Sequence, residues 1–207
     1  NLILLDDAPI YTPSHLLGFF STFIPDAIKD IDIYKGDLPA SYGGRLSSLV
    51  DIRTKDGNMN KFALNGSIGL ISSKLALEVP LIKQKSSFFL STRVSQLKWF
   101  FRQFSPDIQD FNFYDLNSKF NFKINDNNRL YFSIYSGADF YSNVTDSFMS
   151  SGIKWRNNAV TLRWNHVFNQ KLFSNATLYT SSCDYRVYNS IEHDYYNNSS
   201  IDSLIYQ

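Results

Sequence analysis

From about residue 62 onward, apolar and polar positions alternate in one run after another. Phe62, Leu64, Ile68 and Leu70 share one parity against Ala63, Asn65, Ser67 and Gly69. Leu75, Leu77, Val79 and Leu81 stand against Lys74, Ala76 and Glu78, and Phe88, Leu90, Thr92 and Val94 against Phe89, Ser91, Arg93 and Ser95. The fourth run is the clearest: Tyr114, Leu116, Phe120, Phe122 and Ile124 alternate with Asp115, Asn117, Lys119, Asn121 and Lys123. A fifth sets Leu130, Phe132, Ile134, Ala138 and Phe140 against Tyr131, Ser133, Tyr135 and Asp139. Val160, Leu162, Trp164 and Phe168 then oppose Thr161, Arg163 and Asn165, and a weaker seventh run sets Ala176 and Leu178 against Asn175, Thr177 and Tyr179. Successive side chains of a strand point to opposite faces, so the runs predict strands with one greasy and one polar face.

A soluble sandwich would alternate too; the connections separate the cases. Segments 82–86, 125–128 and 169–171 are short polar turns, whereas 96–112, 141–153 and 184 onward are longer and irregular. Only the first hairpin, near Ser72-Ser73, is short where a long link is expected. Short and long connections in alternation are the habit of an up-and-down barrel in a membrane. Runs four to six reach the ~9–11 residues that a tilted strand needs to cross. Phe111, Phe113, Tyr114, Phe140, Tyr141 and Trp155 gather toward the loops, and Phe168 and Phe173 toward a turn, where interfacial girdles belong. The polar face carries Lys, Arg, Asp and Asn, which a wet or plugged lumen tolerates and a sandwich core does not. Charge is expected to be costly at Phe120, Phe122, Leu162 or Leu178 and mild at Asn117 or Asn121. Seven strands leave two open edges, which lipid penalises heavily, so an incomplete barrel, a fragment of a longer protein, is expected.

The first 57 residues read differently, as a small α+β unit. Leu2–Leu5 is an apolar strand closed by Asp6-Asp7 and Pro9. Pro13-Ser14-His15 opens a loop in which Ser14 is placed to cap a short helix over Leu16 to Phe20. Pro25 starts a helical turn through Asp30, Ile31 and Ile33 give a strand ending at Tyr34-Lys35-Gly36, and Leu49 to Thr54 gives another before Asp56-Gly57.

Composition removes several function classes. Lys plus Arg (20) and Asp plus Glu (19) nearly cancel, so a nucleic-acid partner is not expected. The single cysteine, Cys183, excludes an internal disulfide and a cysteine metal cage. No run approaches the ~20 apolar residues of a spanning helix, and no export signal precedes Asn1; both ends of the chain are expected to be cut. Gly43-Gly44-Arg45 lacks the spacing of a phosphate loop. In Glu192-His193-Asp194, adjacent residues on extended chain point apart, which argues against a metal site. His166 falls in register with Val160, Leu162 and Trp164 and reads as interfacial. No catalytic residues, metal or cofactor are expected.

Three motifs then occur in order: Leu4-Leu5-Asp6-Asp7-Ala8-Pro9-Ile10, Pro25-Asp26-Ala27-Ile28-Lys29-Asp30-Ile31-Asp32-Ile33-Tyr34-Lys35-Gly36, and Ala40-Ser41-Tyr42-Gly43-Gly44-Arg45 leading into Leu49-Val50-Asp51-Ile52-Arg53-Thr54. Together they resemble the plug of TonB-dependent outer-membrane receptors. Ser14 to Phe20 and Tyr42 to Ser48 are similar to members from Bacteroidota. Two positions depart from the pattern: Asp7 stands where Gly is common, and Lys35 where Arg is common. Asp also enters turn conformations, whereas Lys offers a point charge in place of a bidentate fork.

The resemblance implies a mainly β chain, with residues 1–57 as the C-terminal part of the plug and 58–207 as the first strands of a barrel of about 22. It implies an active-transport receptor in the outer membrane of a Gram-negative cell, importing a scarce nutrient. The implied partners are outer-membrane lipid, the nutrient, the TonB energy-transducing complex acting through a segment outside this chain, and a surface lipoprotein. Tyr11, Ser14 and His15 become candidates for ligand contact at the plug apex, against plain loop roles. Lys35 and Arg45 become candidates for ion pairs with the barrel wall, against solvated plug surface. The rival reading is a structural or adhesive surface protein with a soluble all-β domain; an enzyme comes third.

Overall fold

The computed structural model of the chain describes residues 1–36, 42, 47–104, 108–146 and 149–191. The N-terminal part builds a small sheet. Its first strand, β1 (Leu2–Leu5), turns back into β2 (Ala8–Pro9) through Asp6 and Asp7, at φ 47° and 73°. A two-residue hairpin of type I′ needs positive φ at both central positions, and Asp is among the few residues with a side chain that adopt it readily. Two short strands follow, β3 (Ser14–His15) and β4 (Phe20–Ser21), paired around a 3-10 turn at Leu16–Gly18. A second 3-10 turn, Pro25–Ala27, leads into β5 (Ile28–Lys35), which pairs antiparallel with β6 (Ser48–Thr54). β6 also runs parallel to β1, so the order is β2-β1-β6-β5.

Both predicted helices are shorter than expected. Pro25 opens only three helical residues, because the β-branched run from Ile28 joins β6 at once. Ser14 caps nothing; His15 holds the N-cap position of the turn at Leu16, and the Leu16 N–H donates 3.0 Å to Asp139 of the other sheet.

The seven alternating runs form one antiparallel up-and-down sheet in chain order. They are β7 (Ala63–Ile68), β8 (Ser72–Ile82), β9 (Ser86–Ser95), β10 (Ile108–Asn125), β11 (Asn128–Asp146), β12 (Met149–Asn169) and β13 (Leu172–Ile191). A short helix, α1 (Leu97–Phe101), lies between β9 and β10. The last four strands have 18 to 21 residues and run well into the segments expected to be irregular loops. The physical reason is that alternation records contrast between two faces, whereas a ladder needs only backbone partners. Asn143 pairs with Ser151, and Ser142 with Gly152, where neither face is apolar.

Burial on the large sheet is inverted relative to a soluble protein. The polar parity (Ser87, Ser91, Asp115, Asn121, Thr161) is buried under the small sheet, and the apolar parity faces out, with Phe120 42% and Leu178 73% exposed. What core exists straddles the two sheets. Leu5, Ala8, Ile10 and Ile52 pack with Tyr135 and Ala159, and Ile24 and Ala27 with Ala76 and Phe89. Gly57, at φ 77°, lets the connection between the sheets pass close to β9; a Cβ there would lie 3.0 Å from the Phe88 carbonyl oxygen. Phe113, expected in a girdle, instead turns inward and stacks on His15 with centroids 4.5 Å apart.

The inversion gives a face-specific prediction. Arg at Phe120 or Leu162 should cost ~2–4 kcal/mol of folding into bilayers. Asn117 and Asn121 are buried beneath the small sheet, so the mild control moves to exposed, inward-parity Asn175 on β13. Refolding of full-length variants into vesicles measures the difference; equal losses at Leu162 and Asn175 would reject the face assignment.

Candidate functional site

Five charged residues on the inward parity of β9 to β12, namely Arg93, Asp115, Lys119, Asp139 and Arg163, each meet a partner from the small sheet or its loops. Charge taken out of water persists only when paired and hydrogen-bonded, so these contacts decide where the small sheet can sit.

His15 sits at the centre, 2% exposed. Its Nδ1 lies 2.7 Å from Asp139 Oδ2 and its Nε2 2.8 Å from Asp115 Oδ1. A carboxylate only accepts, so both ring nitrogens donate and the ring is an imidazolium. Asp115, fully buried, also accepts from the Tyr135 hydroxyl at 3.0 Å and from Arg93 Nε at 2.9 Å. The Arg93 guanidinium reaches back to the Ser21 carbonyl and lies 5.0 Å over the Phe113 ring. Gly137, opposite Asp115 in the ladder, leaves room for the Tyr135 hydroxyl; a Cβ there would collide with it.

The two turn residues Asp6 and Asp7 make the next ties. Lys119 Nζ donates to Asp6 at 2.9 Å and to the Thr54 carbonyl at 3.0 Å, and pairs with Asp56 at 3.0 Å. Asp7 pairs with Arg53 of β6 at 2.6 Å and with Arg163 of β12, whose Nε lies 2.6 Å away, and accepts from Thr177 at 3.1 Å. The Asp at the common Gly position therefore does more than turn the chain. Thr12 and Pro9 add contacts to Asn157 and Ser181.

Burial by itself would lower the His15 pKa, but the hydrogen bonds and charges of Asp115 and Asp139 outweigh it and hold it above the ordinary value. Asp56 is pushed the other way. Burial would raise it, and Lys119 and Lys29 outweigh that and hold it below the usual carboxylate range.

Beside this polar layer lies an apolar cavity of about 580 Å³ between the turn at Leu16 and the first loops of the large sheet. Leu16, Phe20, Ile71, Leu97, Phe101 and Phe111 are among its lining residues, and none of the lining residues is polar. It suits a hydrocarbon or aromatic group and offers no partner to a hydroxyl or carboxylate.

No protein-family model matches the sequence, and no curated protein does. Among solved structures the chain is similar to the siderophore receptor PirA from Acinetobacter baumannii. That likeness has a TM-score of 0.48 and 15% identity, over 94% of this chain and 38% of the other. The chain thus spans well under half the length of that receptor.

The expected site residues scatter. His15 turns into the large sheet, whereas Tyr11 stays exposed and Ser14 pairs with Ser21 at the edge of the loop. Lys35 ends β5 on an exposed edge, with no carboxylate among the described residues in ion-pairing range. Arg45 and Glu192-His193-Asp194 lie outside the described residues. Among the described residues no His, Cys, Asp and Glu group fit to hold a metal occurs. The missed ties run in both directions: acids of the small sheet meet cations of the large one, and His15 meets two of its acids. Their signal was present, since Arg93, Asp115, Lys119, Asp139 and Arg163 all fall on the inward parity of the runs.

Two tests follow. Lys119→Met leaves Asp6 without its cation from the large sheet and should cost about 3–5 kcal/mol, read as easier proteolysis of the small sheet in the full-length protein. The His15 contribution is complete below its unfolded value near pH ~6.5 and fades as pH rises through the raised folded value. That of Asp56 is complete above roughly pH 4 and fades as pH falls through its lowered value. Attachment of the small sheet should therefore be strongest between about pH 4 and 6.5. Thermal melts across pH should lose the alkaline decline, and only that limb, in His15→Gln.

Proposed function

We propose that the chain is part of an outer-membrane receptor that binds a scarce nutrient and imports it by active transport. Residues 1–57 are then the C-terminal part of its plug, and 58–207 the opening strands of its barrel wall. One observation carries the reading: the large sheet buries its polar face under the small sheet and turns its apolar face outward. Water would penalise that arrangement and lipid rewards it. The plug motifs in the first 57 residues support it independently.

In this reading the ion pairs from Asp6, Asp7 and His15 hold the plug in the lumen. The inward parity (Arg93, Lys119, Asn121, Arg163 and Asn165) lines the path that opens when the plug shifts. The apolar cavity beside the Leu16 turn seats an apolar group of the nutrient, with Tyr11 and Ser14 as contacts nearer the surface. Import draws on the TonB complex through a segment outside this chain. A surface lipoprotein covering the mouth fits the Bacteroidota-like wording of the plug.

The test uses a thiol already in place. Thr12, bonded to Asn157, also lies within hydrogen-bonding reach of Cys183 on β13. Thr12→Cys in the full-length protein should allow a disulfide that staples plug to wall. Oxidised protein should bind nutrient and fail to import it, with uptake restored by reductant. Uptake by the oxidised form would reject plug movement as the route. A native protein extracted without detergent, with no heat-dependent gel shift, would favour the soluble all-β surface protein instead.

A further inference from the structure

Every cation of the inward parity named above is paired, so unpaired cations on the outward parity stand out. Lys154 and Arg156 on β12 and Arg186 on β13 are such a group. Lys154 lies directly opposite Arg186 in the ladder. Asp184, opposite Arg156, is the one carboxylate in the same groove, and none of the three cations is within ion-pairing distance of a described carboxylate. The groove measures about 370 Å³ and has Ala138 and Phe140 on its floor. Lys154 Nζ also lies 5.6 Å from the centroid of Tyr188, an aromatic of the same parity.

The position of the group is as informative as its charge. Phe168 marks the turn-side end of the apolar stripe on β12, and Arg156 and Lys154 lie twelve and fourteen residues from it along the same strand. At ~3.4 Å per residue and ~40° of tilt, those are roughly 31 and 36 Å along the barrel axis, just beyond an apolar band of ~25 Å. The three cations therefore fall at the opposite border of the band, on the loop side, level with lipid headgroups. Phe140 and Tyr188 beside them are the aromatic partners usual at that depth. Cations that no carboxylate among the described residues pairs with, at the height of lipid phosphates and beside a groove with an apolar floor, match a phosphate oxygen above and an acyl chain below.

We propose that Lys154, Arg156 and Arg186 form a binding site for the phosphate headgroup of an outer-leaflet lipid. The site rests on the membrane reading above and adds a specific lipid to it. The bound phosphate bridges β12 and β13 from outside, at the level where the plug contacts Asn157 from inside.

The test takes the full-length protein purified in detergent and measures binding of short-chain phosphatidic acid by native mass spectrometry. Phosphatidylcholine of the same chain length and inorganic phosphate serve as comparison probes. Wild type should retain phosphatidic acid in preference to both. The triple variant K154Q/R156Q/R186Q should bind it roughly a hundredfold more weakly, as the usual contribution per interfacial cation implies. The turn-side variant K83Q/K85Q/K171Q should bind it as wild type does. Unchanged binding by the first triple, or equal retention of phosphatidylcholine, overturns the site. Inorganic phosphate binding as tightly as phosphatidic acid overturns the lipid as its source. A full-length protein that stays in solution without detergent rejects the membrane reading before any lipid is added, so the two failures are told apart.

Discussion

The constraint that organises this chain is the cost of burying charge on the polar face of the large sheet. Arg93, Asp115, Lys119, Asp139 and Arg163 all point under the small sheet, where bulk water does not reach most of them. Each is tolerable there only because a complementary group arrives from a fixed place. His15 must enter between two carboxylates, Asp6 must meet Lys119, and Asp7 must meet Arg163. A one-residue slip of β10 would turn Lys119 and Asp115 outward together, leaving Asp6 without its cation and His15 with only one of its two carboxylates. The charges thus set register and placement more than they add net stability.

The apolar contribution follows from the same geometry. Neither sheet closes a core alone, since the small one completes its packing with Tyr135, Ala159, Ala76 and Phe89 of the large one. The apolar surface of the large sheet lies on the other side, facing out. Under the proposed function its free energy is realised in a lipid surround, and the solvent on that side is then part of the fold. In the proposed receptor this separates two functions. Outward apolar contacts hold the wall in the membrane, and inward polar contacts hold a plug that has to let go. Paired charges suit the second task, because entering water resolvates both partners as they part.

Phe111 and Phe113 show how far a single parity can be put to different uses. Both were legible as aromatics near a strand end, and both lie on the inward parity. Phe113 became the platform under His15 and Arg93, and Phe111 the wall of the apolar cavity, packed edge-on against Phe101 of α1. Neither role has a local cause. Each depends on a residue far along the chain, and α1 itself lay in a segment with no periodic signal.

The sequence by itself determined the seven strands, their two faces and the tight turns on one side, because period-two alternation and turn residues are local properties. It also determined the Asp6-Asp7 hairpin, since few residue types accept its backbone. Strand length beyond the alternating core was not legible, because a ladder continues wherever two backbones can pair. Which small-sheet groups meet which large-sheet charges was decided only by tertiary structure. The resemblance pointed to Lys35 and Arg45 as ion-pair candidates, whereas Asp6 and Asp7 read only as turn residues. Placing one sheet on the other settled the ties among the described residues, because ion pairing falls off over a few ångströms and the β1–β2 turn, the loop at His15, Asp26 and Asp56 come that close.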